Sequence, residues 1–393
     1  MRLRRIIGAV AVVAALTFSG CAGSPRDGGA ANPRPAEPSP TASATPTPTP
    51  PADPVADWVA ERMAGLSLEQ KAAALLMLHA PGVDPAPLRS LAEQGISGLI
   101  LMGDNIPGTP AELRALTDAV QPDPEARVLI GIDEEGGDVQ RLPWDDAAGA
   151  YALQQQPPEA TRAAFARRGE LLAQAGVDVN FGIVADVTAD PGSFISGRVL
   201  GTDPVGAAER VAAAVAGEGD QARSTLKHFP GHGAAPGDSH TSVPSAPLTL
   251  DEWRAGAALP FAAGVDAGAD LVMTGHLVYP AVDPAPASLS PAWHRILRDE
   301  LGFEGVTVSD DLLMLQHNGL PEYADPNENA IRAIAAGTDL LLYVLPADPS
   351  EFGISVAGLT GAIAEAVRAG RIPEARLDDA VERVLTLRRL ETV

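Results

Sequence analysis

The run RSTLKHFPGHGAAPGDSH, residues 223–240, decides how the rest of the chain is read. Its first seven residues, RSTLKHF (223–229), have the composition of a strand and end on Lys227 and His228. Proline and glycine then turn the chain into a loop that carries His232, Asp238 and His240. A lysine at the end of a buried strand is costly unless something anionic or rich in hydroxyls shares its surroundings.

Outward from this strand the same pattern recurs. GLILMG (98–103), VLIGID (128–133), VDVNFGIV (177–184), ADLVMTGH (269–276), GVTVSDD (305–311) and DLLLYVL (339–345) read as further strands. Ala- and Leu-rich segments at 159–175, 205–217, 251–267, 327–336 and 356–369 read as the helices among them. Such alternation implies an α/β protein with a parallel sheet and helical crossovers. An open doubly wound sheet and a closed barrel both satisfy it. No G-x-G-x-x-G follows the first strands, as a dinucleotide-binding open sheet would carry. Instead a polar residue ends strand after strand: Asp133, Asp186 just beyond its strand, Lys227 with His228, His276, and Asp310 with Asp311. In a closed barrel those ends ring one mouth, where active sites sit. The expectation is a TIM-type (β/α)8 barrel forming one catalytic domain, with seven strands visible and the eighth not located.

The N-terminus reads differently. MRLRR supplies a basic start, IIGAVAVVAALTF an apolar run too short to span a bilayer, and SGC a break with small residues. Residues 1–21 are therefore expected to be a lipoprotein signal peptide ending at Cys21, the chain's single cysteine and the expected lipid anchor. Residues 22–54, a Pro/Thr/Ser/Ala tract, are expected to be a disordered stalk, and residues 55–393 the barrel domain. The protein would then lie outside the cytoplasm, tied to the membrane by lipidated Cys21.

The 393 residues are 46% hydrophobic, ample for a core, and carry 28 basic against 51 acidic side chains. A chain of net charge −23 would repel phosphate backbones, so nucleic acid is excluded as a partner. A single cysteine excludes an internal disulfide. His228, His232 and His240 raise a metal site, but Pro230 and Gly231 break any helix that would put His228 and His232 on one face.

Three constellations bear on chemistry. In Asp238-Ser239-His240 a carboxylate two residues before an imidazole can bond one ring nitrogen and raise the basicity of the other, which suits a proton shuttle; the pair also suits an exposed turn. In GVTVSDD one of Asp310 and Asp311 can attack an anomeric carbon while the other caps the next helix. In IDEEGGDVQRL, Asp133 and Arg141 suit a polyol ligand, and equally an internal ion pair.

Taken together, IDEEGGDVQRL, NFGIVADV, SGRVLGTDP, KHFPGHG with DSH, VMTGHLVYP, ASLSP, LGFEGVTVSDDL and AGTDLLL resemble glycoside hydrolase family 3, in its single-domain, NagZ-type β-N-acetylglucosaminidases. The resemblance runs in order from about residue 57 to the C-terminus. It implies a TIM-type barrel, a retaining mechanism and no metal or organic cofactor. Residue by residue, Asp310 resembles the nucleophile and His240 the general acid/base, oriented by Asp238. Asp133, Arg141, Arg198, Lys227 and His228 resemble the residues that hold N-acetylglucosamine. The implied substrates are cell-wall muropeptide fragments with that terminal sugar, cleaved by a monomer. Phosphorolysis on the same site and a non-catalytic wall-fragment-binding lipoprotein are the rival readings. Asp138 and Ile183 depart from the family pattern, where arginine and proline are usual. An aromatic content of 4% fits a small exo-acting pocket better than a long polysaccharide groove.

Overall fold

The computed structural model describes residues 53–123 and 127–389. The expected signal peptide, Cys21 and all but the last two residues of the expected stalk lie outside the described residues. Among the described residues no helix is long and apolar enough to cross a membrane.

Eight parallel strands form the barrel: β1 (Leu76–Leu78), β2 (Gly98–Leu101), β3 (Leu129–Ile132), β4 (Val179–Val184), β5 (Arg223–Phe229), β6 (Leu271–Thr274), β7 (Val306–Ser309) and β8 (Leu341–Tyr343). Their order is β7-β6-β5-β4-β3-β2-β1-β8. A parallel bridge between Val308 and Leu340 and the Ser309 N–H to Leu340 carbonyl bond join β7 to β8 and close the ring. Every strand residue is buried, as expected where helices cover the outside and side chains fill the inside. Inside, Met77 and Phe181 occupy the space left by Gly98 and Gly131; a Cβ at Gly131 would sit 2.7 Å from a Phe181 ring carbon.

All seven strands read from the sequence are present. The missing eighth is β1, which follows the helix Leu68–Ala73 with one intervening turn and no glycine or proline. The run AAALLML has no alternation to mark the change from helix to strand, because a barrel strand is buried on both faces. The expected helix at 251–267 is two helices, Leu250–Ala255 and Ala258–Asp266. Gly256, at φ −134° and ψ −88°, breaks it.

Behind β5 lies an aromatic block. Phe229 meets Trp253, Phe261 and Trp293 edge to face at 6.0, 5.3 and 5.7 Å. Trp253 Nε1 donates to the Pro230 carbonyl at 2.7 Å and the Tyr279 hydroxyl to the Gly231 carbonyl at 2.6 Å. The chain leaving β5 is thereby pinned just where the functional loop begins.

Candidate active site

β5 carries one more residue than its neighbour at this end. Leu226 pairs with Val272 and Phe229 with Thr274, so three steps along β5 match two along β6. In a regular strand consecutive side chains face opposite ways; the extra residue lets both Lys227 and His228 line one cavity.

Lys227 is 2% exposed and its Nζ lies 2.7 Å from both Asp133 Oδ1 and Glu135 Oε1. Glu135 in turn takes a forked pair of bonds from Arg198, at 2.9 and 2.7 Å. Arg141 Nη2 stands 3.7 Å from Asp133 Oδ2. Burial would neutralise Asp133, Glu135, Lys227 and Arg198, but their mutual attraction wins. Asp133 and Glu135 are held below the usual carboxylate range, chiefly by Lys227, while Lys227 is pushed up by Asp133 and Glu135. The result is a wall of fixed charges able to donate to and accept from hydroxyl groups.

His228 turns Nδ1 to Asp186 at 2.8 Å, and Asp186 also accepts the backbone N–H of His228 and of His232. Burial pushes Asp186 up to about 7 and, with Arg198 beside it, holds His228 well below the ordinary imidazole value. At neutral pH the ring is uncharged. With Nδ1–H donated to Asp186, Nε2 is left as an acceptor 3.5 Å from Arg198 Nη2.

The Asp310–Asp311 pair at the end of β7 is split by its surroundings. Asp311 Oδ1 accepts the N–H of Leu313 and of Val344, both at 3.0 Å, so it caps the following turn and ties it to β8. Burial, outweighing those bonds and reinforced by Asp310, pushes Asp311 up to about 7. Asp310 goes the other way. Burial would raise it, but the His228 and His276 rings, the Asp311 N–H at 2.9 Å and Lys227 together hold it below the usual range. Since His228 is neutral at physiological pH, the Asp311 N–H and Lys227 sustain this effect there. His276 is positioned independently: its Nε2 lies 2.9 Å from the Asp311 carbonyl, which can only accept, so Nδ1 accepts from the Ser288 hydroxyl at 2.7 Å. Two adjacent carboxyl groups thus differ in role: Asp310 stays ionised, and Asp311 builds the turn.

The loop after β5 is not the uniformly flexible join that its glycines and prolines suggest. Residues 230–232 are buried, and His232–Ala234 form one turn of 3-10 helix. Only the later part is open: the side chains of Asp238 and His240 are 46% and 61% exposed. His240 Nδ1 sits 2.6 Å from Asp238 Oδ1, the dyad geometry read from D-x-H. Although partial burial opposes it, the His240 backbone and ring bonds hold Asp238 below the usual carboxylate range.

Asp133, Arg141, Arg198, Lys227, His228, His240 and Asp310 all line a single cavity of about 400 Å³; Asp238 stands behind His240. Glu135, Asp186 and Phe194 complete the site; of these the sequence reading placed only Asp186, as one of the polar strand ends, and gave none of the three a chemical role. Glu135 had a signal, the acidic doublet that follows Asp133 directly. Phe194 had none. Of the two departures from the family pattern, Ile183 is fully buried against β4's neighbours and Asp138 is exposed beside Gly197. Neither lines the cavity.

The model of the glycosyl hydrolase family 3 N-terminal domain matches residues 67–387. The chain belongs to glycosyl hydrolase family 3. Among family-3 relatives it is similar to a β-hexosaminidase of Stenotrophomonas maltophilia, 39% identical over 238 residues that make up 57% of this chain and 70% of the relative. Its fold matches the family-3 β-N-acetylglucosaminidase of a Paenibacillus species with a TM-score of 0.75 and 32% identity, over 82% of this chain. This chain spans 62% of that longer protein. It also matches a β-N-acetylhexosaminidase of Beutenbergia cavernae, TM-score 0.71 and 32% identity, over 83% of this chain and 99% of the other. The family-3 barrel therefore accounts for the strand-end residues, and the cavity they ring is its candidate active site.

Proposed function

We propose that this family-3 barrel is a retaining exo-β-N-acetylglucosaminidase that removes terminal N-acetylglucosamine from cell-wall muropeptide fragments. One observation carries the reading: an ionised Asp310 shares a small cavity with a hydroxyl-binding wall and with the Asp238–His240 dyad. In the first step Asp310 bonds to the anomeric carbon as His240 protonates the departing oxygen. In the second, His240 takes a proton from water, which attacks the same carbon and releases Asp310. Asp238 holds the imidazole's orientation and stabilises its protonated form. The relatives named β-hexosaminidase and β-N-acetylglucosaminidase support the N-acetylhexosamine specificity.

Water, rather than phosphate, suits this site as acceptor. The fixed cations Lys227, Arg198 and Arg141 are matched by the fixed anions Asp133, Glu135 and Asp310, leaving no surplus positive charge to capture a phosphate. Lipidated Cys21 would hold the barrel on the outer side of a membrane, where wall fragments are released.

The full-length protein is expected to release nitrophenol from nitrophenyl N-acetyl-β-glucosaminide without added phosphate. Asp310→Asn is expected to lower kcat/KM by about 10⁴-fold or more. Absence of turnover by the wild type would leave the wall-fragment-binding reading. Formation of sugar 1-phosphate, rising with phosphate, would favour phosphorolysis, and full activity in Asp310→Asn would remove the assigned nucleophile.

A further inference from the structure

His232 is 1% exposed, and neither ring nitrogen has a hydrogen-bond partner among the described residues. A buried polar ring without partners is costly, so its position reflects something other than its own stability. Its backbone N–H is fixed by Asp186. Its ring lies 6.0 Å and 77° from that of His228, and 4.8 Å and 63° from that of Phe194. Phe194, 39% exposed at the cavity edge, meets the His240 ring at 6.2 Å and 88°. A file of four rings, His228, His232, Phe194 and His240, therefore runs from the buried wall to the exposed dyad.

Phe194 does not belong to His240's loop. It stands on the segment after β4 that carries Arg198, tied by the Ser193 N–H to the Asp190 carbonyl, the Ser196 hydroxyl to the Pro191 carbonyl and the Arg198 N–H to the Ile195 carbonyl. The Asp238 bond orients the imidazole from the loop side alone. The edge-to-face contact with Phe194 orients it from the framework side.

We propose that Phe194, backed by His232, is a positioning residue that sets the angle at which His240 faces the departing oxygen. This rests on the reading of His240 as acid/base. In the step concerned His240 gives up its proton, the glycosidic C–O bond breaks with its electron pair going to oxygen, and the bond from Asp310 to the anomeric carbon forms. A misaligned imidazole slows this step in proportion to how much the leaving oxygen needs the proton.

The test compares kcat/KM for phenyl and dinitrophenyl N-acetyl-β-glucosaminides, which share a ring and differ in leaving-group acidity. Phe194→Ala is expected to lose about tenfold on the phenyl substrate, the worth of one aromatic contact, and less than about twofold on the dinitrophenyl one. Phe194→Leu should recover part of the loss. His232→Ala, which leaves Phe194 unbacked, should repeat the pattern more weakly, and the alkaline limb of the phenyl pH profile should shift in both alanine variants. Equal loss on the two substrates, or no loss on either, overturns the proposal while leaving the enzyme reading intact. A wild type inactive on both substrates fells the functional reading and the positioning role with it.

Discussion

Lys227 and Glu135 are each 2% exposed and lie 2.7 Å apart, whereas His240, lining the same cavity, keeps 61% of its side chain in solvent. The first pair belongs to a network that β3, β5 and the segment after β4 hold from several directions. The second stands on a loop whose outer half has little packing. The difference follows the chemistry proposed for the two groups. Groups that recognise a sugar lose least entropy when they are fixed beforehand. A group that must exchange protons with a leaving group and then with water needs access to both. Folding stability should therefore depend on the wall, and proton transfer on the loop.

Glu135→Ala is the substitution that would break this contrast most severely. It leaves buried Lys227 with Asp133 as its remaining ion-pair partner among the described residues and takes from Arg198 its forked carboxylate, and the expected loss is roughly 3–5 kcal/mol of stability, read as a lower denaturant midpoint. If stability were unchanged, the wall would not be the preformed half of the site.

His240→Ala sharpens the comparison from the other side. Stability should stay within about 0.5 kcal/mol, as for other exposed positions. Meanwhile kcat/KM for a phenyl glycoside should fall about 10²–10³-fold, and added azide should restore turnover of an activated substrate. A large drop in thermal midpoint would show that the loop is structural after all.

The most gradual effect concerns the base of the wall. Glu134 Oε2 accepts the N–H of Arg141 and of Leu142 at 2.8 Å, fixing the turn on which Arg141 stands. Burial, only partly countered by those bonds and aided by Asp145, pushes Glu134 up to about 8. Because the folded state holds this proton more tightly than the unfolded chain, stability is lost as pH rises from about 4.5 toward 8. Replacing Glu134 with Gln removes that proton linkage. Glu134→Gln should match the wild type near pH 4.5 and gain on it toward pH 8, by at most about 1.4 kcal/mol per pH unit. Thermal midpoints across that range, parallel for the two proteins, would show that Glu134 is ionised in the fold.

The sites legible in the sequence share a reason. Asp133, Lys227, His228 and Asp310 sit at strand ends, where a change from apolar run to polar residue marks both the fold and the mouth of the barrel. The D-x-H pair is local, so its spacing sufficed to raise the contact that the structure shows at 2.6 Å, on a turn that is also exposed. What escaped has reasons too. β1 is three buried residues with no period, and the division of labour between Asp310 and Asp311 depends on Val344, which lies 33 positions further along the chain. The pinned first half of the loop depends on Trp253 and Tyr279, again distant in sequence.

By itself, then, the sequence determined the alternation of strands and helices, the ring of polar strand ends, the dyad and the family, because each rests on neighbours along the chain. Only the tertiary structure decided which carboxyl group stays charged, how Glu135 binds Lys227 to Arg198, and how far His240 is left in solvent. Those properties come from burial and from charges brought together by the closing of the barrel, and no stretch of sequence contains either.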